Sequence, residues 1–255
     1  MAVEKNKTPL ANIPQQAQKA ARAETAPAPM RRYRQYLFII ALGALAASFG
    51  VLTFFVKTIH SFPIDLVITV GIQSIHFVPF DNLLIAISWL GFWPQAGFIS
   101  MLIVVVILFF GLQWEAMSAI SAALAASLLN VFIKDLIQRP RPANAIVHVM
   151  ARLNDFSFPS GHVMFFVGFY GFIGFLVFSL LKPSLKRTLI LIVIGLLVGL
   201  VGISRIYEGE HWASDVLGAY LLGTLTLIAI IGFYRWGKSR FFVHQPVAKP
   251  ESSNT

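Results

Sequence analysis

Residues 204–215 read SRIYEGEHWASD and form a polar segment between two long apolar runs. The segment contains Arg205, His211 and Asp215, and the last two are four residues apart. A helix would present residues at this spacing on one face, so the Asp215 carboxylate can orient the imidazole of His211. The pattern predicts a nucleophile or base with its orienting carboxylate, placed between two membrane-spanning helices.

The composition indicates an integral membrane protein. Of the 255 residues, 57% are hydrophobic and 12% are charged, and both values depart from those of soluble domains. The formal charge of +9 would suit a nucleic-acid partner, but Lys and Arg flank apolar runs instead of clustering on a soluble face, so none is predicted. The absence of cysteine excludes disulfides and thiolate metal sites.

Six apolar runs predict an all-α bundle of six transmembrane helices, because about 20 apolar residues in a helix cross a bilayer. The runs cover residues 36–56, 95–112, 114–134, 163–181, 188–203 and 212–236. The mixed polar pattern at residues 61–93 predicts interfacial helices, and Pro140 and Pro142 should end the third span. A cleaved signal peptide is the alternative for the first run, but that run continues past its small residues.

The distribution of basic residues predicts the topology. Lys and Arg residues at 31–34, 182–187 and 235–240 fall on one side of a six-span bundle, which the positive-inside rule assigns to the cytoplasm. We therefore expect a plasma-membrane protein with both termini in the cytoplasm and an extracytoplasmic active site. Residues 1–30 and 241–255 are predicted to be disordered cytoplasmic tails on either side of a membrane domain at residues 31–240.

Two further polar segments should meet the first, since both lie at span ends on the same side. They are residues 134–142 (KDLIQRPRP) and 158–162 (FPSGH). Lys134, Arg141 and Arg205 would then be three neighbouring cations that need an anion. Phosphate fits, because guanidinium groups pair with its oxygens through two hydrogen bonds and lysine adds a point charge.

The start of the fourth span adds backbone donors to this predicted site. Ser160 and Gly161 stand directly before it, so the N–H groups of the helix start can face an anion. Gly161 also allows a close approach of the backbone. The segment is therefore predicted to bind phosphoryl oxygens.

His162 and His211 are predicted to share two catalytic tasks: one attacks phosphorus, and the other protonates the leaving oxygen. Because Asp215 can orient and stabilise His211, that residue is predicted to be the nucleophile and His162 the acid. Zinc ligation by both histidines and Asp215 is an alternative. Three nearby cations would repel a divalent metal, so no metal and no other cofactor is predicted.

These motifs together resemble the three-part signature of the type 2 phosphatidic acid phosphatase superfamily. The parts are Lys134, six residues, Arg141-Pro142; Pro159-Ser160-Gly161-His162; and Ser204-Arg205, five residues, His211, three residues, Asp215. The resemblance implies a membrane enzyme that removes phosphate from a lipid phosphate or diphosphate through a phosphohistidine on His211, without a metal. It implies that the phosphoryl oxygens are held by Lys134, Arg141, Ser160, Gly161 and Arg205.

The implied substrates are undecaprenyl diphosphate, phosphatidate, phosphatidylglycerophosphate and diacylglycerol diphosphate. The same scaffold also occurs in vanadium haloperoxidases, which are mostly soluble, and the motifs fit a lipid phosphotransferase equally well. A lipid transporter is a further alternative, but the predicted span centres lack ionisable residues. Five charged residues flank the motifs and are not predicted to contact substrate: Arg139, Arg152, Asp155, Glu208 and Glu210. The sequence does not indicate an oligomeric state.

Overall fold

The computed structural model describes residues 28–59, 62–75, 77–143, 147–151 and 153–241, in which the only regular elements are helices. The helices are α1 Ala28–Thr58, α2 Pro63–Gln73, α3 Val78–Trp89, α4 Gln95–Phe109, α5 Gln113–Ile137, α6 Gly161–Leu180, α7 Leu185–Tyr207 and α8 Ala213–Phe241. Apart from residues 28–30, which lie in α1, and Phe241, which ends α8, the two predicted tails lie outside the described residues.

The chain forms two compact units, Met1–Ala47 and Ser48–Thr255. In the first unit the described residues belong to α1, and apolar side chains such as Phe38 and Ile39 are more than half exposed. The second unit contains the end of α1 and all other helices. The polar segments singled out in the sequence all lie in this second unit.

The predicted all-helical membrane bundle is confirmed. Among the described residues, five helices are long and apolar enough to cross a membrane, namely α1, α5, α6, α7 and α8. Helix α4 occupies the second predicted span but has 15 residues, about 22 Å at about 1.5 Å per residue. The count of six spans therefore stays a prediction, while α2 and α3 are short helices where interfacial helices were expected.

Helix α6 is central to the second unit, because it contacts α5, α7 and α8. It contains one π-helical turn, Phe166–Tyr170, and its aromatic side chains Phe166, Phe169 and Phe172 are fully buried. At Gly168 a Cβ atom would stand 2.7 Å from Cβ of Ala126 in α5. Small residues thus let α5 and α6 pack closely.

The polar segments of the sequence lie where helices begin and end. Helix α5 ends at Ile137, where Gln138 adopts a left-handed conformation with φ of 56°, just before the two prolines that were expected to stop it. Helix α6 begins at Gly161, α7 ends at Tyr207 and α8 begins at Ala213. The ends of α5 and α7 and the starts of α6 and α8 therefore form one polar region.

Candidate active site

His211 lies in the turn between α7 and α8, and 1% of its surface is exposed. The turn needs Gly209, whose φ is +67°, because a Cβ atom there would stand 2.0 Å from the carbonyl oxygen of His148. Nη1 of Arg141 lies 3.2 Å from Nε2 of His211. A guanidinium can only donate, so Nε2 accepts and the proton of the neutral ring resides on Nδ1.

Asp215 lies behind this imidazole in the first turn of α8. Its Oδ2 is 3.6 Å from Nδ1 of His211, which is within ion-pair range but longer than a hydrogen bond. Oδ2 also accepts from the Trp212 N–H at 2.8 Å and from the Ser157 hydroxyl. These donors hold the carboxylate toward the ring, and such contacts commonly tighten only when substrate binds.

The environment of His211 keeps its ring neutral. Burial lowers the pKa of His211 well below its usual value, and the nearby cations Arg141, Arg205 and Lys134 lower it further. A neutral imidazole carries its lone pair on Nε2, the nitrogen that accepts from Arg141. His211 is therefore in the form that a nucleophile requires.

Lys134 and Arg141 meet at one carboxylate, that of Asp155 in the loop between α5 and α6. Lys134 forms an ion pair with Oδ2, and Nη2 of Arg141 donates to Oδ1 at 2.6 Å. Arg141 also donates to the backbone oxygen of Glu210 at 2.6 Å. Burial alone would raise the pKa of Asp155, but the hydrogen bonds and charges of Lys134 and Arg141 outweigh this and hold the pKa below its usual range.

Arg205 is fully buried at the end of α7 and pairs with two carboxylates. Its Nη1 is 2.7 Å from Glu208 Oε2 and also donates to the Ser88 hydroxyl, while Nη2 pairs with Glu210. Burial raises the pKa of Glu208, and the charge of Arg205 opposes this effect. Each of the three predicted phosphate-binding cations thus pairs with an internal carboxylate, and Lys134 and Arg141 share that of Asp155.

Ser160 and His162 flank the start of α6. The Ser160 backbone N–H donates to the Asp215 carbonyl at 3.3 Å, which ties this segment to α8. The His162 ring packs on the Phe92 ring with 4.6 Å between ring centroids. The guanidinium of Arg205 lies 5.0 Å from the centroid of the Phe92 ring. Ser160 Oγ and His162 Nε2 are buried and have no hydrogen-bond partner among the described residues. Both atoms can therefore serve a ligand.

Gly161 stands between these two residues and is held close to α5. A Cβ atom there would lie 3.1 Å from Oδ1 of Asn130, whose Nδ2 donates to the Pro159 carbonyl at 2.9 Å. Asn130 is buried in α5 and fixes the turn that leads into α6. Asn130 was not predicted as a site residue, because a single amide in an apolar helix belongs to no motif.

Two cavities adjoin the site. One of about 280 Å³ is lined by Arg141 and Glu210 together with loop residues. The other, of about 320 Å³, lies between α4, α5 and α6 and has His162 and Gly161 in its wall. Most of the rest of that wall is formed by small or apolar side chains such as Ala96, Val131 and Phe165, and Asn130 adds an amide. His162 therefore borders a space between helices that suits an apolar group.

The structure places all eight predicted site residues in this one polar region: Lys134, Arg141, Ser160, Gly161, His162, Arg205, His211 and Asp215. Of the flanking charges, Asp155, Glu208 and Glu210 pair directly with the predicted cations. Arg139 contacts Asp215, and Arg152 lies outside the described residues. In the part of the chain that the structure describes, no group of three His, Asp or Glu residues is arranged to hold a metal ion.

Comparison with known sequences identifies relatives for the segment that carries the site. A family model for the PAP2 superfamily matches residues 115–239. Phosphatidylglycerophosphatase B of Bacillus subtilis (strain 168) is 36% identical over 143 residues, which is 54% of this chain and 68% of that protein. The bacitracin transport permease protein BcrC of Bacillus licheniformis is 31% identical over 131 residues, 50% of this chain and 58% of that protein.

Comparison with solved structures gives a similar result. The crystal structure of a transmembrane PAP2-type phosphatidylglycerolphosphate phosphatase from Bacillus subtilis has a TM-score of 0.68 and 29% identity, and the match covers 78% of this chain and 98% of that one. The crystal structure of LpxE from Aquifex aeolicus has a TM-score of 0.55 and 22% identity, covering 68% and 98% of the two chains. The second likeness concerns the fold alone.

Proposed function

Because the chain belongs to the PAP2 superfamily, we propose that it is a membrane lipid phosphatase that transfers a phosphoryl group first to His211 and then to water. The observation that carries this proposal is the position of His211. Its Nε2 faces Arg141 at 3.2 Å while Nδ1 faces Asp215, so a neutral nucleophile points at a phosphate-binding cation.

In the first step, Nε2 of His211 forms a bond to phosphorus and the bond from phosphorus to the lipid oxygen breaks. His162 gives its proton to that leaving oxygen, and its otherwise unpartnered Nε2 is suited to do so. The phosphorylated imidazole of His211 carries a positive charge, which the Asp215 carboxylate stabilises. A phosphohistidine and a free lipid alcohol, or a lipid monophosphate from a diphosphate, are the products.

In the second step, water attacks the phosphohistidine and gives a proton to the now neutral His162. The P–N bond breaks, His211 returns to its neutral form and phosphate leaves. An alcohol in place of water would make the protein a lipid phosphotransferase, which is the alternative on the same residues.

The phosphoryl group would be held by the cations that pair internally before it binds. Arg141 and Lys134 would exchange Asp155 for phosphoryl oxygens, since guanidinium and ammonium groups bind both kinds of anion. Ser160 Oγ and the first N–H groups of α6 add neutral donors. Such donors stabilise the charge that spreads over the phosphoryl oxygens in the transition state.

The leaving group would lie in the cavity between α4, α5 and α6, because His162 borders it and protonates the leaving oxygen. Its small and apolar walls suit the hydrocarbon chain of a membrane lipid. The bacterial relatives make phosphatidylglycerophosphate the first lipid to test, and undecaprenyl diphosphate, phosphatidate and diacylglycerol diphosphate are the other candidates.

We place the protein in the plasma membrane with both termini in the cytoplasm and the active site on the outer side, as the charge distribution predicts. The chain has no native cysteine, so single cysteines can report sidedness. In intact cells a membrane-impermeant maleimide should label Ala151→Cys, in a loop beside the site, but not Ser184→Cys before α7. The reverse pattern would invert the topology.

The function is tested by phosphate release from purified protein in detergent, measured with and without EDTA. We expect release from at least one of the four candidate lipids, and no loss of rate when EDTA is added, because no step uses a metal. A strict requirement for added Mg²⁺ or Zn²⁺ would contradict the proposed mechanism. Release of the lipid alcohol with transfer of phosphate to an added alcohol would favour the phosphotransferase.

Asp155→Asn should tighten inhibition by inorganic phosphate. The Asp155 carboxylate is about half exposed and pairs with Lys134 and Arg141, so phosphate must displace it. An amide competes less well for cations, and we expect the inhibition constant to fall about three- to tenfold, equivalent to roughly 1 kcal/mol. Asp135→Asn, an exposed carboxylate beside Lys134, is the control. Weaker phosphate inhibition in the Asp155 variant would mean that Asp155 supports the site instead of competing for it.

A further inference from the structure

We infer that Asp65 and Arg139 form a buried ion pair that positions Asp215 behind His211 and leaves a net negative charge on that side of the imidazole. The inference rests on the proposed function and adds two positioning residues: Asp65, which lies outside the three sequence motifs, and Arg139, which lies at a spacer position of the first motif. Neither residue lines the two cavities that adjoin Arg141 and His162. Both act through Asp215.

Arg139 joins two carboxylates that are 150 residues apart in the chain. Its Nη2 lies 2.8 Å from Oδ2 of Asp65, and its Nη1 pairs with Oδ1 of Asp215. All three side chains are buried, with at most 1% of their surface exposed. Ion pairs in such surroundings have little competition from water, so their geometry is well fixed.

Ser214 completes the cluster and connects it to the start of α8. Its hydroxyl donates to Oδ2 of Asp65 at 2.6 Å and lies 2.7 Å from Nη1 of Arg139. Its backbone N–H donates to Oδ1 of Asp65 at 2.8 Å. Asp65 therefore also satisfies an N–H group in the first turn of the helix that carries Asp215, where a negative charge is favourable.

The contacts of Asp215 divide between its two oxygens. Oδ1 pairs with Arg139, whereas Oδ2 accepts from Ser157 and Trp212 and faces His211. Because Arg139 fixes Oδ1, the carboxylate cannot rotate and Oδ2 stays directed at the imidazole. Without Arg139, only donors on the His211 side would define its orientation.

The charge count explains why a second carboxylate is present. Arg139 alone would neutralise Asp215, which would then stabilise a cationic phosphohistidine poorly. Asp65 adds one negative charge, so the cluster of Asp65, Arg139 and Asp215 carries a net charge of −1 beside His211. That charge lies on the Nδ1 side of the imidazole, whereas Arg141 faces Nε2, so it can stabilise a cationic phosphohistidine.

The position of α2 supports a role at the site. Asp65 lies in its first turn, and Gln73 at its last residue donates to the carbonyl oxygens of His148 at 2.6 Å and Tyr207 at 2.9 Å. Both ends of this short helix are therefore attached to segments that surround His211. Next to Asp65, the Phe62 ring lies 5.5 Å from the Arg139 guanidinium and covers the ion pair.

The test is Asp65→Asn, which keeps the shape of the side chain and removes its charge. We expect kcat to fall about tenfold to a hundredfold, the range seen when partners that orient a reactive ligand are removed. The KM for lipid and the inhibition constant of inorganic phosphate should stay unchanged, because the phosphate-binding cations are untouched. Asp81→Asn, a carboxylate in the first turn of α3 that hydrogen-bonds Tyr207 instead, should keep wild-type kcat.

A double-variant cycle separates charge from structure. Arg139→Gln alone leaves two buried carboxylates facing each other and should lower kcat more than Asp65→Asn does. Combining the two substitutions removes one charge of each sign. The kcat of the double variant should therefore be higher than that of Arg139→Gln, which means that the effects of the two substitutions are not additive. All values refer to the monodisperse fraction in detergent.

Three outcomes would overturn the inference. Wild-type kcat in Asp65→Asn would show that the pair does not act on His211. If the inhibition constant of inorganic phosphate rises by about the same factor by which kcat falls, α2 only maintains the shape of the pocket. If the wild-type protein releases no phosphate from any lipid, the proposed function fails as well, and this result is distinct from the other two.

Discussion

Replacing His211 by alanine is expected to abolish hydrolysis of lipid phosphate. Removal of a covalent nucleophile commonly lowers kcat by about four orders of magnitude or more, and the rest of the site supplies only binding and electrostatic stabilisation. A water molecule should not replace the imidazole as the nucleophile. Arg141 and Asp215 are positioned to contact the two ring nitrogens of the buried His211, not a smaller group. No phosphorylated protein should be trapped when the variant is quenched in base, which preserves phosphohistidine.

A second variant distinguishes the roles of the two histidines. His162→Ala should lose turnover of lipid substrates but still form phosphoenzyme from an aryl phosphate, whose leaving oxygen needs no proton. The control is His148→Ala, an exposed histidine that contributes only backbone atoms to the contact with Gln73. Turnover that persists without His211 would contradict the covalent mechanism.

The sequence alone predicted the helical class, which the structure confirms, and a set of eight candidate site residues, because both predictions depend on local patterns. Apolar runs and prolines define the helix ends, as at Ile137, and three motifs stand at those ends. Once helices pack as a bundle, residues at neighbouring ends must come together. The residues of the candidate site therefore did not require knowledge of any side-chain contact.

The partners of those residues could not be predicted in the same way. Asp65 lies in a short helix of mixed polarity, and its contact with Arg139 depends on how that helix packs against α8. Asp155 and Glu210 were interpreted as flanking charges, since nothing in their spacing assigns them to a cation. Buried cations need a counter-charge when no substrate is bound, and this requirement explains why such acids are present.

Arg141→Lys is expected to lower kcat/KM about a hundredfold, or by roughly 2.7 kcal/mol, although the charge is unchanged. The guanidinium of Arg141 contacts three groups at once: Nε2 of His211, the carbonyl oxygen of Glu210 and the carboxylate of Asp155. A lysine ammonium is a compact charge and cannot span these positions or bind two phosphoryl oxygens side by side.

The measurement for Arg141→Lys is the pair of kcat/KM for lipid and the inhibition constant of inorganic phosphate. In Arg141→Lys, kcat/KM should fall and the inhibition constant should rise, whereas Asp65→Asn should lower kcat alone. The two variants therefore separate binding of the phosphoryl group from reactivity of the nucleophile. Arg240→Lys, at an exposed position near the end of α8, is the matched control. If phosphate inhibits the Arg141 variant as well as it inhibits the wild type, Arg141 does not hold phosphate and its contact with His211 serves only to orient the ring.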